Sequence, residues 1–121
     1  MEQFKEYLLE KPFSLIDYPF GKEVMVFKVK GKMFATIGTD RLSGHYAINL
    51  KCDPDEAAAL RDIYHAVSAG YHMNKRHWNT VVIDDSIARS EIERMIDNSF
   101  DLVVLTLPKK ILKDMDDSNH G

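Results

Sequence analysis

The chain has 121 residues, of which 45% are hydrophobic and 29% are charged, values that fit one globular domain and exclude a disordered, collagen-like or membrane-spanning protein. Its apolar runs, such as 81–83 and 102–105, are too short to cross a bilayer. The formal net charge is −3, cysteine occurs once, and residues 1–6 do not read as an export signal, so we expect a cytoplasmic protein without disulfides.

The first half of the chain predicts one short helix followed by three strands. Phe4, Tyr7 and Leu8 recur at helical spacing ahead of Pro12, which ends a helix. Residues 24–29 and 46–51 place alternate side chains on two faces, as strands do, and residues 33–37 are predicted as a strand between them. Gly31 lies in a short turn typical of a β-hairpin. The predicted elements are a helix over 2–10 and strands over 24–29, 33–37 and 46–51.

The second half predicts two helices with two strands between them. Residues 53–56 combine an Asp N-cap, a Pro at the first helical position and a Glu that completes a capping-box-like pair. A second capping box at 90–93 opens a long helix that ends near Pro108. The intervening residues predict a loop over 67–70, a short strand over 71–73 and a longer one over 78–83.

The resulting order, α-β-β-β-α-β-β-α, predicts a two-layer α+β fold in which helices cover one face of an antiparallel sheet. Residues 1–113 form the predicted domain, and residues 114–121 are predicted as an acidic, disordered tail.

Charge is unevenly distributed along the chain. Residues 22–51 contain six Lys or Arg and two Asp or Glu, whereas residues 84–107 contain six Asp or Glu and two Arg. Because the basic segment is mainly strand and the acidic segment mainly helix, the two charges would lie in different layers of this fold. A mixed, solvated surface is the alternative interpretation.

Seven short motifs occur in a fixed order over about residues 8–112. They are YPFG (18–21), VFKV (26–29), GKMFA (31–35), NLKCDP (49–54), GYHMNKRHWNTV (70–81), SFDLVV (99–104) and LPKK (107–110). Together they resemble the MmcQ/YjbR family. The resemblance implies a CyaY-like, secretion-chaperone-like α+β fold of small bacterial cytoplasmic proteins. It also implies a proposed DNA-binding role through a double-wing arrangement of two hairpins.

In this sequence the candidate wings are the hairpin turn at 28–32 and the strand connection at 74–77. Lysine and arginine side chains there are suited to phosphate contacts, and His77 and Trp78 to stacking or wedging at a groove edge. We therefore expect weak, largely sequence-independent DNA binding. Solvated hairpin tips and a packed Trp78 are the competing interpretations. The candidate contact residues are Lys28, Lys30, Lys32, Lys51, Lys75, Arg76, His77 and Trp78.

An enzyme or metal site is not expected from these motifs. Cys52 with a histidine is a conceivable nucleophile–base pair, but an inert buried cysteine is the commoner case. His72 and His77 flank a cation-rich stretch that is poor surroundings for a divalent metal. We accordingly expect no catalytic residues, no cofactor and no metal.

A protein-interaction module is the alternative function. An open antiparallel sheet can bind an extended peptide or a second copy of the chain. Phe34, Tyr46 and Trp78 are the candidate aromatic anchors for that interface. Salt separates the two hypotheses, because binding to a polyanion weakens with salt and an apolar interface does not.

Overall fold

A computed structural model describes residues 2–70 and 74–120 of the chain. None of the helices in these two ranges is long and apolar enough to cross a membrane. The elements are α1 (Glu2–Leu9), β1 (Ser14–Asp17), β2 (Met25–Val29), β3 (Lys32–Thr39), β4 (Tyr46–Lys51), α2 (Pro54–Ile63), β5 (Val67–Ala69), β6 (Trp78–Val82), α3 (Arg89–Leu105) and α4 (Lys109–His120).

The six strands form one sheet in the order β1-β2-β3-β4-β6-β5, and every neighbouring pair is antiparallel. The β2–β3 pair shifts register at Phe27/Lys28, as at a β-bulge. At the edge of the sheet, β1 pairs with β2 from Ser14↔Val29 to Asp17↔Val26. This strand was not predicted, because four residues are too few to give a periodic sequence signal. Its strand conformation depends on the pairing with β2.

The helices cover one face of the sheet and leave the other uncovered. Buried residues of all four helices, including Leu8, Leu60, Ile96 and Met115, join the inward side chains of the strands in one cluster. The ring of Phe34 in β3 meets that of Phe100 in α3 edge to face, with centroids 5.2 Å apart. The α+β architecture predicted from the sequence is therefore confirmed. We call the uncovered side of the sheet the open face.

Three local predictions differ from the structure, and a fourth lies outside the described residues. The predicted loop at 67–70 contains β5, because Val67 and its neighbours pair with β6. The predicted strand at 71–73 lies outside the described residues. The second capping box does not form, since the N-cap of α3 is Ala88, with no side-chain cap hydrogen bond. The helix α4 runs through residues 114–120, which the sequence predicted as a disordered tail.

The strand directions place each connection at one of two ends of the sheet. The Lys30-Gly31 turn between β2 and β3, the end of β4 and the start of β6 lie together, and we call this the Gly31 end. The connections after β3 and β6 lie at the opposite end, which we call the Asp84 end. The two ends are roughly 25 Å apart along the eight residues of β3.

Candidate nucleic-acid interface

Both candidate wings are at the Gly31 end of the sheet. In the β2–β3 turn, Lys30 and Gly31 have φ of 49° and 85°, the pair of positive values that a type I′ hairpin turn requires. The second turn precedes β6 and ends at Trp78. Three strand spacings separate the midpoints of the two hairpins in the sheet order, a distance of roughly 14 Å.

The three lysines of the first wing point in three directions. Lys28 lies on the open face, where its Nζ donates to Asp17 Oδ2 at 2.9 Å. Lys30 lies at the tip of the turn, with its Nζ 4.3 Å from the centre of the Phe13 ring. Lys32 points to the helix layer and donates to the carbonyl and hydroxyl oxygens of Thr106 at 3.2 Å. The expectation that the basic segment lies in a layer apart from the helices is therefore wrong for the Lys32 side chain, because the carbonyl end of α3 attracts its ammonium group.

The turn of the second wing is held by its first residue. The Asn74 side chain accepts from the Arg76 N–H at 3.1 Å, and the Asn74 carbonyl accepts from the N–H groups of His77 and Trp78. At its other side, the turn is joined to β4 by the Cys52 N–H, which donates to the His77 carbonyl at 2.7 Å. Lys75 and Arg76 are exposed, so two cations project from a well-anchored turn.

Arg61 of α2 is a residue of this site that the sequence analysis missed. Its guanidinium donates to the Lys75 carbonyl at 3.2 Å and to Asn79 Oδ1 at 2.9 Å. Asn79 is buried, and its Nδ2 donates to the Ala57 carbonyl at 3.3 Å. These bonds fix the second wing to the helix layer. An asparagine within the strand predicted over 78–83 was the available signal, because a buried amide requires hydrogen-bond partners.

Lys51 and Trp78 are direct cross-strand partners at the Gly31 end. Leu50 belongs to the core and Asn79 bonds α2, so the alternation of side chains places both Lys51 and Trp78 on the open face. Trp78 is half-buried there. Phe34, by contrast, is fully buried under α3, so it cannot serve as the surface anchor that the protein-interaction hypothesis considered.

Charge differs between the two ends of the sheet. The Gly31 end carries the cations Lys30, Lys51, Lys75 and Arg76, together with three acids at the start of α2, which are its N-cap Asp53 and the first-turn residues Asp55 and Glu56. The Asp84 end carries more acids than bases. Ser43 and Ser86 donate hydrogen bonds to Asp40 and Asp84 and lower the pKa of each carboxyl, so both are ionised at neutral pH. The charges at this end are Glu23, Asp40, Asp84 and Asp85, with Lys22 and Arg41 among them.

Cys52 has the properties of a structural cysteine. It is buried at the junction of β4 and α2, and desolvation, followed by the charges of Glu56 and Asp53, raises the pKa of its thiol to about 11. A helix N-terminus by itself lowers a thiol pKa, but burial dominates here. The thiol is therefore protonated at neutral pH and is a poor nucleophile.

Comparison with known sequences identifies the family. The YjbR family model matches residues 9–102. The chain belongs to the YjbR family. YbdF of Escherichia coli O157:H7 is 39% identical over 109 residues, covering 90% of this chain and 88% of YbdF. YjbR of Escherichia coli strain K12 is 28% identical over 110 residues, covering 91% of this chain and 92% of its own.

Solved structures share the fold of this YjbR-family chain. Deinococcus radiodurans protein DR2400, which carries the family-model domain DUF419, matches with a TM-score of 0.86 and 30% identity over 95% of this chain and 86% of its own. A Pseudomonas syringae protein matches with a TM-score of 0.72 and 29% identity over 84% of this chain and 96% of its own. The sequence resemblance and the fold it implied are both confirmed.

Proposed function

We propose that the Gly31 end of this protein binds double-stranded DNA weakly and largely without sequence preference. The observation that supports the proposal is the shared position of the two wings, since the exposed cations of both turns lie at the same end of the sheet. The carboxylates of the Asp84 end lie a strand length away. Their repulsion of a polyanion is screened at that distance, because the Debye length at physiological salt is about 8 Å.

The expected strength follows from the number of phosphates within reach. Lys30, Lys51, Lys75 and Arg76 supply about four contacts, which gives a slope of log affinity against log salt of roughly −4. Affinity should then fall by two to three decades between ~50 and ~200 mM salt. The Gly31 end is built of turns, without a helix that presents Arg, Asn or Gln to base edges among the described residues, and this favours binding to the backbone.

Fluorescence anisotropy with a labelled duplex tests the proposal. The Lys75→Ala/Arg76→Ala variant should bind more weakly and reduce the salt slope by about 2, one for each phosphate contact removed. Lys22→Ala/Arg41→Ala is the matched control, because it removes the same charge from the Asp84 end. Equal effects of the two double variants, or no binding at low salt, would overturn the proposal.

Single lysine variants of the first wing sharpen the test. Lys30→Ala should lower the salt slope by about 1, since Lys30 is an exposed residue at the tip of the turn. Lys32→Ala should leave the slope unchanged and instead lower the stability of the protein by about 0.5 kcal/mol, because it removes a cation from the C-terminus of α3. A larger slope change for Lys32 than for Lys30 would argue against this interface.

Strand addition at β1 is the second candidate function. Leu15 in this edge strand is 70% exposed, and an exposed apolar edge is a template for pairing with another chain. Size-exclusion chromatography at low and high salt tests it. Self-association that survives high salt and is lost in Leu15→Lys supports strand addition, whereas a monomer at both salt concentrations excludes the dimeric form.

A further inference from the structure

The cross-strand pair of Lys51 and Trp78 belongs to a longer row on the open face. Lys28 and Met33 are partners in the β2–β3 register, and Leu15 faces Lys28 from β1. Lys32 and Phe34 both point to the helices, so Met33 between them faces the open side. In strand order the side chains on the open face near the Gly31 end are Leu15, Lys28, Met33, Lys51 and Trp78, which alternate apolar and cationic. The β3–β4 pairing ends at Ala35↔Leu50, so Met33 and Lys51 are not cross-strand partners.

A polar row lies beside this one on the same face. Asn49 Nδ2 donates to Thr36 Oγ1 at 2.9 Å, and Thr80 Oγ1 donates to Asn49 Oδ1 at 2.5 Å. These bonds cross three adjacent strands, β3, β4 and β6. They hold the open face in a fixed register beneath the alternating row, so the spacing of Lys51 and Trp78 is set by the sheet.

We infer that the open face binds an unpaired DNA strand, with a base stacked on Trp78 and an adjacent phosphate held by Lys51. The inference rests on the proposed function, and it specifies a single strand as the preferred form of DNA. Directly opposed side chains in an antiparallel pair have Cβ atoms about 4.5–5.5 Å apart, so one nucleotide reaches both groups. Stacked bases inside a duplex do not present their faces to a tryptophan on a sheet, whereas unpaired bases do.

Charge complementarity favours this occupant over an apolar peptide. Lys51 lies among the apolar side chains of the row without an acidic partner in the described part of the chain, whereas Lys28 is paired with Asp17. The exposed cations Lys75 and Arg76 lie three and two residues before Trp78 in the chain. A groove of cations with an aromatic ring among them is the pattern by which proteins bind single strands without reading their sequence.

Intrinsic fluorescence provides a direct test, because Trp78 is the only tryptophan of the chain. The full-length protein is titrated with a thymidine oligomer of about 12 nucleotides and, separately, with a mixed-sequence duplex of equal length. We expect the oligomer to quench the Trp78 emission and to bind more tightly than the duplex. Trp78→Ala should weaken oligomer binding by about 5- to 150-fold, the range expected for one stacked base.

Matched variants separate stacking from structural damage. Trp78→Phe keeps an aromatic face and should retain most of the affinity, with binding followed by anisotropy of a labelled oligomer. Tyr46→Ala removes an exposed ring from the other end of β4 and should leave affinity unchanged. Circular dichroism confirms that each variant is folded.

The outcomes distinguish the two proposals. Quenching by the oligomer with a loss of affinity in Trp78→Ala supports stacking. Tighter binding of the duplex without quenching overturns the single-strand inference and leaves the proposed function standing. Absence of binding to either probe at low salt overturns both, and equal affinity of Trp78→Ala and the unaltered protein for the oligomer overturns the role of Trp78.

Discussion

Gly70 lies against Trp78 so closely that a Cβ added to Gly70 would be 2.8 Å from the Trp78 Cβ. The Gly70 N–H also donates to the Trp78 carbonyl, at 2.8 Å. Only glycine allows this approach, which continues the pairing of β5 and β6 up to the second wing. The position of Trp78, the ring proposed to stack on a base, therefore depends on the absence of a Cβ at Gly70.

Gly70→Ala should destabilise the protein by about 1–3 kcal/mol, because the added methyl group meets the Cβ and main chain of Trp78, neither of which is the free end of a side chain. Urea denaturation followed by Trp78 fluorescence measures the loss. Gly38→Ala is the control, since its new Cβ would meet the nearest atom, Val24 Cγ2, at an ordinary 3.7 Å, and its effect should stay within about 0.5 kcal/mol. Similar losses in both variants would contradict the steric explanation.

Ser99 should be among the most sensitive polar residues of the core. Its hydroxyl donates to the Phe34 carbonyl at 2.5 Å and accepts from the Lys51 N–H at 2.8 Å, so it completes main-chain bonding between α3 and two strands. Ser99→Ala leaves the Lys51 N–H and the Phe34 carbonyl without this partner. It should lower the free energy of unfolding, measured by chemical denaturation, by about 2–3 kcal/mol. Ser90→Ala, at an exposed position of the same helix, should cost less than about 0.5 kcal/mol. A neutral Ser99→Ala would show that the two main-chain groups find other partners.

The Cys52 thiol should be slow to react in the folded protein. Burial raises its pKa from 9.0 to about 11, so at pH 8 the thiolate is scarce and the sulfur is shielded. Labelling with a chromogenic disulfide reagent should be slow in buffer and fast in denaturing urea. The pKa of this thiol is higher in the folded protein than in the unfolded chain. The free energy of unfolding should therefore be unaffected by the ionisation of Cys52 below pH 9 and should fall as the pH rises from 9 towards 11. Labelling as fast as that of a free thiol would refute this description.

Lys28 should control the titration of Asp17. The hydrogen bond from Lys28 is the largest cause that lowers the Asp17 pKa below its ordinary value of 3.8. Lys28→Ala should therefore raise the pKa of Asp17, as followed by the NMR shift of its carboxyl carbon against pH. Because the Asp17 pKa is lower in the folded protein than in the unfolded chain, the ionised carboxylate stabilises the fold at pH values above the unfolded pKa, and this stabilisation is lost as the pH falls. The difference in unfolding free energy between Lys28→Ala and the unaltered protein should therefore shrink below about pH 4.

Asp40 is the control for this titration, because its lowered pKa depends on Ser43 at the Asp84 end. Its titration should be the same with and without Lys28. A shift of Asp40 equal to that of Asp17 would point to a general change of the protein in place of the loss of one ion pair.

Several elements were predictable because local interactions determine them. The N-cap of α2 forms as predicted, with Asp53 accepting from the N–H groups of Asp55 and Glu56. The strand β4 has the predicted bounds, and its alternation places Ile48 and Leu50 in the core. In each case the signal lies within a few neighbouring residues.

What the sequence by itself determined is the two-layer architecture and the first hairpin, since alternation, capping and turn chemistry act over short stretches of chain. Only the tertiary structure decided the direction of each lysine and the surroundings of Trp78. Lys32 points to Thr106, 74 residues away in sequence. Arg61 of α2 donates a hydrogen bond to the carbonyl of Lys75 and so fixes the turn of the second wing. These contacts follow from strand order and helix packing, so side chains adjacent in sequence can lie in opposite layers while distant ones share a surface.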